Sequence, residues 1–261
     1  MSYIFHNFFY QPLVNVLAAI MLVLPGNNLG VAIVVLTLIV NILFIPLTRR
    51  AKIAQEKTRL LKPEIERLKK QHKSNPTRLF EAQQKLYHEH GVSMRANIAQ
   101  FLALIFIQLP LLIALYRVFG SGGAFLAGDL YPIFSNIPSP ETIFLYFFDL
   151  TKPALVIQRT PSFQIVMVSG ANLLLAFAAV ALQYTQTKRT LAAQKDSGTA
   201  PSEFERALQT QAKYFFPGLI FVLCATTPAA LAIYWTTQSI FAIVHESYGR
   251  KRPTREERRS P

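Results

Sequence analysis

Residues 214–244 read YFFPGLIFVLCATTPAALAIYWTTQSIFAIV, thirty-one positions without a charged side chain. As one helix the run would be about 46 Å long at 1.5 Å per residue, against roughly 30 Å of hydrocarbon in a bilayer. A single crossing would need steep tilt. Thr226-Thr227-Pro228 offers a break, because proline removes a backbone donor and disfavours helix at the residue before it. The stretch is therefore expected to cross twice, as Tyr214 to Ala225 and Ala229 to Val244. Both pieces are short enough to thin the lipid around them.

Three further runs, Leu29 to Leu47, Ile98 to Phe119 and Phe163 to Tyr184, lack acidic residues and approach the roughly 20 apolar residues that a span requires. Half of the 261 residues are apolar and mean hydropathy is +0.28, which puts a soluble reading at a disadvantage. Phe8 to Leu24 is interrupted by Gln11, Pro12 and Asn15, and no Lys or Arg precedes Arg49. It fits neither a clean span nor a signal peptide, and is read as a helix lying in the outer interface.

Charge orients the spans. Of the 27 Lys and Arg residues, 24 fall in residues 49–95, 187–213 and 245–261. By the positive-inside rule these segments are cytoplasmic and residues 120–162 are outside. Five crossings with the N-terminus out satisfy all of this, and they require two crossings within 214–244. The expected fold is an all-α integral membrane protein: a five-transmembrane-helix core with a cytoplasmic helical hairpin and an N-terminal outer interfacial helix. Its segments are an interfacial piece (1–27), a first span (28–48), the hairpin (49–96), a second span (97–119), an extracytoplasmic loop (120–162), a third span (163–187), a cytoplasmic loop (188–213), a fourth and a fifth span (214–227 and 228–245), and a basic cytoplasmic tail (246–261).

The charged stretch Arg49 to Gly91 keeps helical periodicity in Ile53, Leu60, Leu61, Ile65 and Leu68. Ser74-Asn75-Pro76 marks its turn, Pro63 a kink or a new start, and Gly91 a C-cap. The loop to Pro161 is rich in Pro and aromatics and poor in charge, so Ile143 to Phe148 is expected to lie against the outer leaflet. The single cysteine, Cys224, has no partner for an intrachain disulfide and reads as a packing residue.

No nucleophile elbow, phosphate loop or zinc-protease helix is present, so no enzyme, no catalytic residue and no cofactor is expected. His88-Glu89-His90 places adjacent side chains about 100° apart on a helix, which does not make the i, i+4 pair that zinc needs. No metal site is expected. Inside the spans, Thr37, Asn41, Gln108, Asn172, Gln183, Thr236, Thr237 and Gln238 are polar. Some such residues serve only to hold helices together. Thr37 with Asn41, and Tyr234 with Gln238, repeat the i, i+4 spacing on two helices, which suits a polar cavity between spans.

Several segments resemble the YidC/Oxa/Alb membrane insertase family. Gly30-Val31-Ala32-Ile33 through Thr37-Leu38-Ile39-Val40, then Pro46-Leu47-Thr48, resembles its first core span. Leu61-Lys62-Pro63-Glu64 and Leu86-Tyr87 with His90-Gly91-Val92 resemble the ends of its hairpin. Ile107-Gln108-Leu109-Pro110 to Ala114-Leu115-Tyr116 is similar to its second span, Phe148-Asp149-Leu150 to the segment before the third, and Pro228-Ala229 through Tyr234-Trp235 to the turn and fifth span.

This resemblance implies a chaperone and insertase whose hydrophilic groove opens to cytoplasm and lipid and receives the polar part of a nascent membrane protein. The implied groove residues are Thr37, Asn41, Gln108, Tyr234, Trp235 and Gln238. The family pattern carries an arginine four residues after the threonine, where this chain has Asn41. An intramembrane arginine costs roughly 2.5–3.5 kcal/mol on insertion scales, so it is retained for function. Arg95, at the cytoplasmic mouth of the second span, is the residue placed to compensate.

Implied partners are nascent membrane proteins and the lipid bilayer, with the ribosome, the signal-recognition pathway and the Sec translocon. The tail, with Arg250, Lys251, Arg252, Arg255, Arg258 and Arg259, suits ribosomal RNA or anionic lipid. The lack of an Arg-rich transit segment favours the plasma (inner) membrane of a bacterium. The competing class is a small multi-pass transporter or channel, which would need polar groups through the outer halves of the spans as well.

Overall fold

The computed structural model describes residues 3, 6–72, 75–92, 112–118, 129–134, 137–159, 164–195 and 209–250, and it is mostly helical. A wide helical turn, His6–Tyr10, runs straight into α1 (Gln11–Val23). Pro25-Gly26-Asn27 then reverses the chain, with Gly26 at φ 81°, a conformation that costs glycine nothing. Next comes α2 (Leu29–Leu43). Its N-cap is Asn28, whose side chain accepts from the Val31 amide at 3.2 Å, satisfying one of the free donors of the first turn.

The apolar helix α2 passes into the charged helix α3 (Ile45–Leu60) with a kink at Phe44. Pro46 explains it, since it has no N–H for the carbonyl four residues back. Leu61 separates α3 from α4 (Lys62–Gln71), which carries Pro63 in its first turn, where a missing N–H costs nothing. Asn75 caps α5 (Pro76–Glu89) by accepting from Arg78 N. Gly91, at φ 63°, ends it. Val92 N donates to Tyr87 O and Gly91 N to His88 O, the paired bonds of a Schellman stop. Leu61, Ile65, Leu86 and Val92 form a small apolar cluster between these charged helices.

Residues 112–118 form α6, which contributes Ala114, Leu115 and Val118 to the main core. Two β-hairpins follow. In the first, β1 (Ile143–Phe144) pairs with β2 (Phe148–Asp149); in the second, β3 (Leu155–Arg159) pairs with β4 (Gln164–Val168), Leu155 opposite Val168. The remaining helices are α7 (Gly170–Lys195), α8 (Phe216–Thr226, entered through a wide turn at Gln211–Phe215) and α9 (Ala230–Arg250).

The mostly helical chain fits the expected all-α class, with two short β-hairpins set into it; where the apolar run opens at residue 163, the helix itself begins at Gly170. Hydropathy registers that a segment is apolar and not which period it follows. Val156, Ile157, Ile165, Val166 and Val168 are β-branched, a residue type that favours strands. The helix α7 also runs to Lys195, eight residues past the expected end of the third span.

Thr227 is extended, and its amide bonds to Leu223 O, so the uncharged run does break at Thr227-Pro228. Beyond the break, Ala229 to Tyr234 are all buried. Six consecutive buried residues mean a helix enclosed on every side, and α9 indeed packs against both α7 and α2. Ala176 and Ala179 of α7, with Ala229, Ala230 and Ala232, belong to this core and let the backbones approach closely.

The outward surface is apolar too, with Ile39, Ile42, Leu174, Phe177, Val222 and Val244 exposed. Among the described residues one helix, His6–Val23, is by itself long and apolar enough to cross a membrane; Leu29–Leu43 and Gln211–Thr226 are shorter apolar helices.

Candidate functional site

Asn41 and Gln238 meet where α2 crosses α9. The Asn41 amide nitrogen donates to Thr37 O at 2.8 Å and to Gln238 Oε1 at 2.5 Å. Thr37 O can only accept, so Asn41 must turn its NH₂ this way and Gln238 must present its oxygen. Both residues are half-buried. Asn41 Oδ1 and the Gln238 NH₂ make no further hydrogen bond among the described residues and are not enclosed. The pair thus offers one acceptor and two donors, all neutral, amid apolar helices.

The other predicted residues are placed differently. Thr37 is 1% exposed and its hydroxyl donates to Ile33 O at 2.7 Å. Tyr234 is also 1% exposed, with its ring edge-on to Trp235 at 6.0 Å. These two support the site from beneath, while Trp235 is half-buried against the core. Gln108 and Arg95 lie outside the described residues. Asn41 is eight positions, about 12 Å of helix, from the exposed Arg49, so the pair sits toward the charged end of α2.

A second polar seam joins α7 to α9. Ser239 Oγ donates to Gln183 Oε1 at 3.2 Å, and Arg189 Nη1 to Ser247 Oγ at 3.1 Å. Gln186 Oε1 and Thr236 Oγ1 are buried without a hydrogen-bond partner among the described residues. Ser239 escaped the sequence reading because serine beside a glutamine looks like ordinary helix glue. Its signal was the turn of about 100° between neighbours on a helix: on α9, Gln238 turns to α2 and Ser239 to α7.

At the opposite end of the bundle, residues 148–152 tie the helices together. Asn172 of α7 donates to Asp149 O and Lys152 O, both at 3.0 Å. The amides of Ala229 and Ala230, free because they begin a helix, donate to Lys152 O at 3.1 Å and Leu150 O at 3.2 Å. Asp149 holds the turn, accepting from Thr151 Oγ1 at 2.6 Å and pairing with Lys152 Nζ at 2.8 Å. Burial pushes its carboxyl up, but the hydrogen bonds from Lys152 and Thr151 outweigh this and hold it below its ordinary range.

A further cluster was not anticipated. Buried Asp129 accepts from Tyr10 Oη at 2.7 Å, and its backbone oxygen accepts from Asn15 Nδ2 at 2.9 Å. Asn15 Oδ1 accepts from Tyr131 N at 2.7 Å. The residue that interrupts the first apolar run is therefore the clamp that fastens α1 to the 129–131 segment. An acidic residue in a loop poor in charge was the available signal. Among the described residues, no three His, Cys, Asp or Glu side chains are grouped to hold a metal.

Residues 21–256 match the model of the 60Kd inner membrane protein family. The chain belongs to that family, the YidC/Oxa/Alb group it resembles. Relatives named membrane protein insertase YidC include those of Magnetococcus marinus, 25% identical over 95% of this chain and 36% of the relative, and Treponema denticola, 27% identical over 91% and 37%. The chain thus spans about a third of these 60Kd-family relatives' length. A family member from Fusobacterium nucleatum is closer in size, 24% identical over 85% of this chain and 86% of its own length.

Proposed function

We propose that this chain is an insertase and chaperone for integral membrane proteins, acting in a bacterial inner membrane with the N-terminus out and the C-terminus in. The half-buried Asn41–Gln238 pair carries the reading. Its free acceptor and two free donors match the N–H and C=O of a peptide group, which in hydrocarbon costs several kcal/mol when unpaired. A nascent polar segment entering beside α2 and α9 from the cytoplasm finds partners there, while its apolar portion moves into lipid.

The brace at residues 148–152 supports a groove closed on the outer side, and the shortness of α2 and α8 supports thin lipid around it. Arg95 adds positive field at the mouth. The protein acts without a covalent step and without a cofactor, alone or beside the Sec translocon. The charged helices α3–α5 receive substrate from the ribosome or the signal-recognition pathway, and the basic tail binds ribosomal RNA or anionic lipid.

The test is insertion of a short single-span substrate with a translocated polar tail into liposomes holding this protein alone. Wild type inserts it and Asn41→Leu does not. Wild type equal to empty liposomes refutes autonomous insertion, and leakage of small solutes through wild type favours a channel.

A further inference from the structure

The turn between β1 and β2 carries residues that such turns avoid. Leu145 and Tyr146 lie at φ 49° and 65°, the left-handed region that hairpin turns fill with Asn and Gly. Their side chains gain no packing from it: Leu145 is 58%, Tyr146 95% and Phe147 75% exposed. A backbone outlier held with bulky residues persists only where the surroundings impose it, and such strain gathers at functional positions.

The surroundings do impose it. Glu141 O accepts from Leu29 N at 3.0 Å, Glu141 N donates to Asn27 O at 3.1 Å, and Asn28 Nδ2 donates to Ile143 O at 2.8 Å. On the other strand, Leu150 N donates to Thr142 O at 3.0 Å, and Leu150 O accepts from Ala230 N. The hairpin is thus bolted to the first turns of α2 and α9, at the end of the bundle away from charged α3–α5. Its base carries Glu141, Asp149 and Lys152, while residues 142–148 carry no charge.

We infer that Leu145, Tyr146 and Phe147 form a rigid anchor seated in lipid, just beneath the headgroups of the leaflet opposite the basic helices. Lipid is the occupant because the hairpin is bonded at its base to the start of α2, a helix whose own apolar Val31, Leu38, Ile39 and Ile42 are exposed. Tyrosine suits that depth, with its ring in the acyl region and its hydroxyl among the headgroups. The anchor also sets a distance: from Gly30, beneath the hairpin, to Asn41 is eleven residues, about 17 Å of helix. Lipid held at the tip leaves far less than a full bilayer between that surface and the polar pair. This second statement rests on the groove reading; the seat in lipid does not.

The experiment uses the full chain in phosphatidylethanolamine and phosphatidylglycerol liposomes, with Cys224→Ala to remove the single native thiol and a nitroxide on Tyr146→Cys. Gln71→Cys, on an exposed position of α4, is the water reference. The tip label is expected to collide severalfold more with oxygen than with an aqueous nickel chelate, the reverse of position 71. Chelate access equal to position 71 overturns the anchor, and shielding from both reagents overturns it in favour of a protein contact. Insertion by Tyr146→Asp then separates the two statements: a severalfold loss is expected, and wild-type insertion with a tip shown to sit in lipid refutes the depth role alone.

Discussion

The ring of Phe144 lies directly over Gly30, so close that a Cβ built on Gly30 would fall 2.6 Å from Phe144 Cγ and 2.8 Å from its Cβ. Those atoms are near the backbone of a strand pinned at both edges, so they have little room to retreat. Gly30→Ala is expected to destabilise by about 1–3 kcal/mol, the usual range for overpacking, and Phe144→Ala in the same chain to recover part of it. Thermal unfolding in detergent checks this; a wild-type midpoint for Gly30→Ala would show that the contact is not made.

Asn172 makes the matching tie from α7. Asn172→Leu leaves two carbonyls of the 149–152 turn without that donor, an expected loss of about 1–3 kcal/mol. The same unfolding measurement reads it, and Asn172→Leu combined with Thr151→Ala tests whether the turn fails as a unit.

The Asn41–Gln238 bond joins positions 197 apart in sequence. Interhelical bonds of this kind contribute roughly 0.6–2 kcal/mol in lipid, so Asn41→Leu and Gln238→Leu should each lower stability modestly and insertion strongly. The double variant should insert no worse than the poorer single one. Additive losses in a liposome insertion assay would mean that the two amides act separately.

The Asp149–Lys152 pair gives a pH dependence with two limbs. The Asp149 carboxyl is held below its ordinary 3.8, so its contribution is full above that value and fades as pH falls beneath it. Lys152 is raised above its ordinary 10.5 by the Asp149 hydrogen bond, so its contribution is full below 10.5 and fades as pH climbs past it. Solvent screening keeps both limbs shallow. Asp149→Asn should flatten both in unfolding midpoints taken across pH, and unchanged limbs would place their origin elsewhere.

Asn15 clamps α1 through Asp129 O and Tyr131 N. Asn15→Leu keeps the helix apolar and removes both bonds, so protease cleavage near residues 129–134 should accelerate while the α7–α9 core stays intact. Equal cleavage rates would show that the clamp does not hold that segment.

Much of this was legible in the residues. Lack of charge marked the apolar segments, Pro228 marked the break between α8 and α9, Pro63 a kink or new start, Ser74-Asn75-Pro76 a turn, and Gly91 a stop, because each acts through its own backbone chemistry. Asn41 and Gln238 stood out as polar residues in apolar runs. What periodicity and hydropathy left undecided were contacts between distant segments. That residues 164–168 form a strand depends on their partner at 155–159. That Tyr234 and Thr37 are enclosed while Asn41 and Gln238 stay open depends on how α2 and α9 cross. That Asn15 is a clamp and not a flaw in a helix depends on Asp129, 114 positions away. Local chemistry is written in single residues and short spacings; burial, pairing and closure arise only when helices far apart in sequence come to share one surface.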